Sequence, residues 1–154
     1  MINPFSYSEA FSRNIGWVTR EEQEKLRGAR VAIAGMGGVG GIYAVTLARL
    51  GVSKFHLADF DTYDIANFNR QVGAMMSTRG KAKVEVIADM VRDINPEAEI
   101  TIFPHGVDAA SLPAFLDGVD LYVDGLDFFV FDIRQKTFAA CAERGVPSTT
   151  VAPL

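Results

Sequence analysis

The sequence has 154 residues, 49% hydrophobic and 22% charged, which suits one folded domain with a sizeable core and excludes a disordered chain. A formal net charge of -4 without any basic block implies no general affinity for nucleic acid. The single cysteine, Cys141, excludes an internal disulfide and a Cys-rich zinc site.

No apolar run approaches membrane-spanning length, and residues 1–11 lack a basic stretch followed by an apolar core; the expected location is the cytoplasm. Thr19-Arg20-Glu21-Glu22 is a capping-box pattern that predicts a short helix through about Leu26. Arg30 to Ala34 predicts a strand that stops at glycine. Gly38 to Leu50 reads as a helix, and Lys54 to Ala58 as a second strand ending at Asp59. Asp61 to Gly73 is a polar loop with room for one helical turn. Lys81 to Ile94 places Val84, Ile87, Ala88, Val91 and Ile94 on one face, which predicts an amphipathic helix closed by Asn95-Pro96. A third strand follows at Ala98 to Phe103. Asp108 to Leu116 predicts a short helix with Asp108 as its cap. Val119 to Val123 is a fourth strand, Val130 to Arg144 a helix closed by Gly145, and Val146 to Val151 a fifth strand.

Strands alternating with helices in this way predict an α/β fold: a Rossmann-like, three-layer, doubly wound and mostly parallel sheet. Ligands of such sheets bind beyond the carboxyl ends of the strands, which directs attention to the loops after Ala34, Ala58 and Val123.

The first loop, Gly35-Met36-Gly37-Gly38-Val39-Gly40-Gly41, carries the G-x-G-x-x-G spacing at Gly35, Gly37 and Gly40. Glycines allow a tight turn and close backbone approach to a phosphate, with a helix N-terminus behind them. Asp59, about 20 residues further on, is placed to accept hydrogen bonds from ribose hydroxyls. These features predict a nucleotide and leave NAD, FAD and ATP open.

The second loop delivers Asn67, Arg70 and Gln71. Arg70 offers a planar fork of donors for phosphate oxygens, and the two amides can orient a sugar or phosphate. Lys83 stands in the first turn of the next helix, where a cation is disfavoured unless it meets an anion; otherwise it is a solvated surface lysine. The third cluster is Asp124-Gly125-Leu126-Asp127. A carboxylate here either binds Mg²⁺ beside nucleotide phosphates or, at Asp127, caps the following helix. Glycine loop, ribose acid, arginine, lysine and metal-type acid together suit phosphoryl chemistry at a triphosphate better than hydride transfer.

GMGGVGG, DFDTYDIANFNRQ, GKAKVEVIADMVRDINP and VDGLD resemble the ThiF/MoeB/ubiquitin-activating-enzyme superfamily, from about Phe11 to the end of the sequence. The resemblance implies that residues 1–28 form an N-terminal arm and 29–154 a Rossmann-like ATP-binding domain without the family's C-terminal half. It implies that Gly35, Gly37, Gly38 and Gly40 line the ATP loop and that Asp59 binds the ribose, with Asp61 in the same nucleotide-binding set. Asn67, Arg70 and Gln71 would hold the sugar and phosphates, Lys83 the β- and γ-phosphates, and Asp127 the Mg²⁺. Arg13 resembles the arginine that reaches into a partner subunit's site, in a homodimer.

The implied reaction is ATP-dependent adenylation of a carboxylate, that of a ubiquitin-like or sulfur-carrier protein's C-terminal glycine, with a small molecule or a modified tRNA base as the donor in some relatives. The rivals are an NAD-dependent oxidoreductase and a non-catalytic partner subunit. Phe128 departs from the asparagine that often follows the family's Mg²⁺ aspartate. Cys141 is expected in the core, His56 as a packed or edge residue, and His105 has no assigned role.

Overall fold

The computed structural model describes residues 4–127 and 129–151; Phe128 lies outside them. A single turn, α1 (Tyr7–Ala10), and a 3-10 turn at Ser12–Asn14 precede the first longer helix, α2 (Arg20–Gly28). That helix begins where the sequence places its capping box. The Thr19 hydroxyl accepts the Glu22 N–H at 3.2 Å and the Glu22 carboxylate accepts the Thr19 N–H at 2.8 Å, which satisfies two orphan donors reciprocally. The Tyr7 hydroxyl donates to the Gly51 carbonyl at 2.6 Å and the Gln23 amide to the Leu50 carbonyl at 2.9 Å, so this N-terminal segment is fastened to the rest of the chain.

The alternation then runs β1 (Arg30–Ala34), α3 (Gly40–Arg49), β2 (Lys54–Ala58), α4 (Lys83–Ile94), β3 (Glu99–Phe103), α5 (Leu112–Phe115), β4 (Leu121–Asp124), α6 (Phe131–Arg144) and β5 (Ser148–Thr150). The strands form one sheet in the order β3-β2-β1-β4-β5, every neighbouring pair parallel. Successive strand residues point to opposite faces, and both faces are covered. Val31, Ile33, Phe55, Leu57 and Val123 pack with Ala44 and Ala48 of α3 and Val84, Ile87, Ala88 and Val91 of α4. Ala32, Ala34, Ala58 and Tyr122 pack with Phe115 of α5 and Cys141 of α6. The result is the expected three-layer Rossmann-like α/β fold. Cys141 is fully buried in it, as expected. His56 is a packed residue, with Nδ1 2.8 Å from the Phe115 carbonyl oxygen. Among the described residues no helix is long and apolar enough to cross a membrane.

Several boundaries shift for local reasons. The helix expected from Asp108 starts only at Leu112: Asp108 caps a turn, accepting the Ala110 and Ser111 N–H groups at 3.0 and 2.7 Å, and Pro113, in the first turn of α5, suits a helix start but not an interior. The helix expected from Lys81 starts at Lys83, because the residues before it are engaged elsewhere. Tyr63 N–H donates to Lys81 O at 3.0 Å and Gly80 N–H to Tyr63 O at 2.8 Å, with an antiparallel bridge between Thr62 and Ala82. Gly145 ends α6 at φ +69°, a left-handed conformation that glycine adopts without penalty.

Candidate functional site

The strand order reverses between β1 and β4, and crevices beyond the carboxyl ends of strands at such a point are where open parallel sheets bind ligands. The loops after these two strands touch. Gly125 N–H donates to Ala34 O at 2.8 Å and Gly35 N–H to Ala58 O at 2.7 Å. Gly35 has φ +87°, and a Cβ there would run into the Gly125 carbonyl. A Cβ on Gly40 would fall on the Gly35 carbonyl and lie 3.1 Å from Ile33 Cγ2. Backbone crowding alone therefore demands glycine at Gly35 and Gly40.

Gly37 and Gly38 are different. Neither has a positive φ. A Cβ on Gly37 would meet Gln71 Nε2 at 3.8 Å, and one on Gly38 would meet Arg70 Cγ at 3.7 Å, both ordinary contacts. Packing does not require glycine at these positions; their bareness leaves backbone N–H groups approachable by a ligand.

Those contacts also place the polar loop. Arg70 and Gln71 lie against the glycine loop, as the sequence leads one to expect. Arg70 Nη1 donates to Ala66 O and to Asn69 Oδ1, both at 3.0 Å, which holds the exposed guanidinium. Gln71 is 7% exposed, and its Oε1 has no hydrogen-bond partner among the described residues. Asn67 Oδ1 accepts the Asp64 N–H at 2.9 Å and so caps the 3-10 turn Ile65–Asn67; its amide nitrogen is the donor left for a ligand.

Asp59 stands at the end of β2 with both oxygens on backbone donors: Oδ2 accepts Met36 N–H at 2.6 Å and Oδ1 accepts Asp61 N–H at 2.7 Å. Burial pushes its carboxyl above the usual range, and these two bonds and the Lys83 charge only partly offset that. Lys83, the first residue of α4, donates its N–H to Asp61 O at 2.9 Å and its ammonium to Asp61 Oδ2 at 3.0 Å. The anomalous early lysine does meet an anion, and that anion belongs to the protein. Burial and the Asp59 charge push the Tyr63 phenol up to about 12, so it stays neutral beside them.

At the end of β4 the two carboxylates separate in role. Asp124, 1% exposed, accepts from Tyr122 Oη at 3.2 Å, Leu126 N–H at 3.3 Å, Arg134 Nε at 2.7 Å and Thr150 Oγ1 at 2.9 Å. Its lone pairs are occupied. Asp127 is exposed and does not cap α6, whose N-cap is Val130 with no side-chain cap bond; the capping alternative is set aside. Arg134 also donates to the Leu126 and Asp127 carbonyls, so it shapes the loop that carries Asp127. Sequence reasoning passed over Arg134. A cation in the first turn of α6 was the available signal, by the same argument that singled out Lys83.

Among the described residues no group of three or more His, Cys, Asp or Glu side chains could hold a metal ion alone. The Asp127 carboxylate is exposed and accepts no hydrogen bond among the described residues, and a lone carboxylate of that kind is what Mg²⁺ takes alongside phosphate oxygens and water. Arg13 is exposed on the N-terminal 3-10 turn, and Trp17, four residues on, is 94% exposed. A cleft of about 380 Å³ lies elsewhere, lined by Arg27, Ser53, Lys54, Glu97 and Glu99. Lys54 and Glu99 begin β2 and β3, so it is at the amino ends of the strands, and Arg27 and Glu97 pair across it at 2.9 Å. Asp59, Arg70 and Asp127 follow the carboxyl ends of β2 and β4, at the opposite end of the sheet.

The sequence profile of the ThiF family matches residues 11–154. The chain is 37% identical over 138 residues to the tRNA threonylcarbamoyladenosine dehydratase of Bacillus subtilis (strain 168), covering 89% of this chain and 54% of that one. It is 37% identical over 125 residues to the molybdopterin-synthase adenylyltransferase of Escherichia coli (strain K12), covering 81% of this chain and 49% of that one. The E. coli tRNA N6-threonylcarbamoyladenosine dehydratase TcdA, solved in complex with ATP, superposes with a TM-score of 0.89 at 26% identity, over 97% of this chain and 61% of that one. The chain spans about half the length of the curated relatives it matches.

Proposed function

We propose, from the premise that this chain belongs to the ThiF family, that it binds ATP at the carboxyl ends of β1, β2 and β4 and transfers AMP to a carboxylate. The observation that carries the reading is that Arg70 and Gln71 lie over Gly38 and Gly37, the two loop glycines that packing does not require. A carboxylate oxygen of the acyl donor attacks the α-phosphorus, the bond to the bridging oxygen of the β-phosphate breaks, and pyrophosphate leaves. The attacking group is already an anion, so no general base is needed, and catalysis is positioning and charge stabilisation. In this reading the glycine-loop N–H groups and Arg70 hold phosphate oxygens, Lys83 faces the β- and γ-phosphates, Asp59 takes the ribose hydroxyls, and Asn67 and Gln71 orient sugar and phosphate. Asp127 would hold Mg²⁺, which neutralises phosphate charge when bound. Arg13 would act across a homodimer.

The acyl donor in this reading is the C-terminal glycine of a ubiquitin-like or sulfur-carrier protein. The similarity to tRNA threonylcarbamoyladenosine dehydratases favours a second donor, the threonyl carboxylate of a modified tRNA nucleoside. The test is incubation with α-labelled ATP and each donor, a carrier ending in Gly-Gly, the modified tRNA, and free amino acids. A labelled adenylate with one of them supports the reading; nicotinamide cofactor binding without any adenylate overturns it. Arg70→Ala is expected to weaken ATP binding by about 1.5–3 kcal/mol, the range for a charge-assisted hydrogen bond, as measured by titration calorimetry.

A further inference from the structure

We propose that Asp61 is the positioning residue for Lys83: its carboxylate is the counter-ion that keeps the ammonium buried where it reaches the terminal phosphates of ATP. The proposal rests on the reading of Lys83 given above. The contact is built into the backbone. Residues 61–63 and 80–83 form a short antiparallel ribbon, with Gly80 N–H on Tyr63 O at 2.8 Å, Tyr63 N–H on Lys81 O at 3.0 Å and Lys83 N–H on Asp61 O at 2.9 Å. That ribbon sets Lys83 directly beside Asp61, with Nζ 3.0 Å from Oδ2. The lysine side chain is 8% exposed and the aspartate 50%. An ammonium that is nearly dry and unpaired is costly, whereas the half-exposed carboxylate repels a nearby phosphate only through solvent and salt. Holding the lysine therefore outweighs repelling the ligand. Asp61 is also tied to Asp59 through its own N–H, so an Asn replacement alters the side-chain charge and leaves the backbone link in place.

The test is calorimetric titration of the full chain with ATP and separately with AMP, both with Mg²⁺, after thermal melts confirm that each variant is folded. Asp61→Asn is expected to weaken ATP binding about fivefold or more and AMP binding less than about twofold; Lys83→Met is expected to weaken ATP binding about tenfold. Adding Asp61→Asn to Lys83→Met is expected to cause no further loss, because the carboxylate acts through the lysine. Equal or tighter ATP binding by Asp61→Asn, or equal loss of ATP and AMP, overturns the proposal while a selective Lys83→Met effect leaves the functional reading standing. A Lys83→Met variant that binds ATP normally removes Lys83 from the site and the proposal with it.

Discussion

Alanine at Gly40 would press its methyl group onto the Gly35 carbonyl, which is backbone and cannot turn away as a side chain could, with Ile33 Cγ2 only 3.1 Å off. Alanine at Gly37 would meet one amide nitrogen at an ordinary distance of 3.8 Å. The two glycines look alike in the fingerprint and answer to different demands. Gly40→Ala is expected to destabilise the fold by about 2 kcal/mol or more, as forced overlap in a packed region does. Gly37→Ala is expected to stay within about 0.5 kcal/mol of the parent in urea unfolding yet to lose ATP affinity. If Gly37→Ala binds ATP as tightly as the parent, the loop is not a phosphate cradle. At this scale the sequence puts Asp59, Arg70 and Lys83 between the end of β2 and the start of α4, and the structure has them there. It does not show that Asp59 is already engaged by two backbone N–H groups, or that Lys83 has an internal partner, because both depend on how the loop after β2 folds back on the start of α4.

The loop after β4 is organised by a buried ion pair rather than by its own sequence. Asp124 and Arg134 meet at 2.7 Å with side chains 0% and 19% exposed, and Arg134 extends to two carbonyls of the loop. Removing one member of a buried pair leaves an uncompensated charge. Arg134→Met is therefore expected to cost about 3–5 kcal/mol in chemical denaturation, and replacing Asp124 by Leu in the same chain is expected to recover part of the loss. The exposed pair Lys25–Glu21, 72% and 82% exposed on α2, should by contrast contribute at most a few tenths of a kcal/mol. An Arg134→Met variant as stable as the parent would show that water or another group compensates Asp124. Element boundaries were legible wherever a cap or a glycine stop is local, as at Thr19 and Gly145. They were missed where a proline or a distant segment intervenes, as before α5 and α4.

For the molecule as a whole, the charges that would surround a triphosphate come from three loops of one chain, but Arg13 is exposed on the N-terminal turn. The sequence has one tryptophan, Trp17, 94% exposed beside that turn. If the turn docks on a second copy, Trp17 is covered, and its emission is expected to shift to shorter wavelength as protein concentration rises, in step with the mass measured by sedimentation. A dimer whose Trp17 emission stays that of a fully hydrated indole would remove Arg13 from the site, and a chain that stays monomeric would do the same. Both faces of the sheet are covered within the chain, whereas Trp17 is not.

The sequence by itself determined the strand and helix order, the layer architecture and which polar loops follow the strand ends, because hydrophobic period, caps and glycine stops act over a few neighbouring positions. Only the tertiary structure decided which of those residues face one another. The division between Asp124 and Asp127, the pairing of Lys83 with Asp61 and the organising role of Arg134 all arise between segments far apart in the chain, where no local periodicity carries the information and burial sets which charge must find a partner.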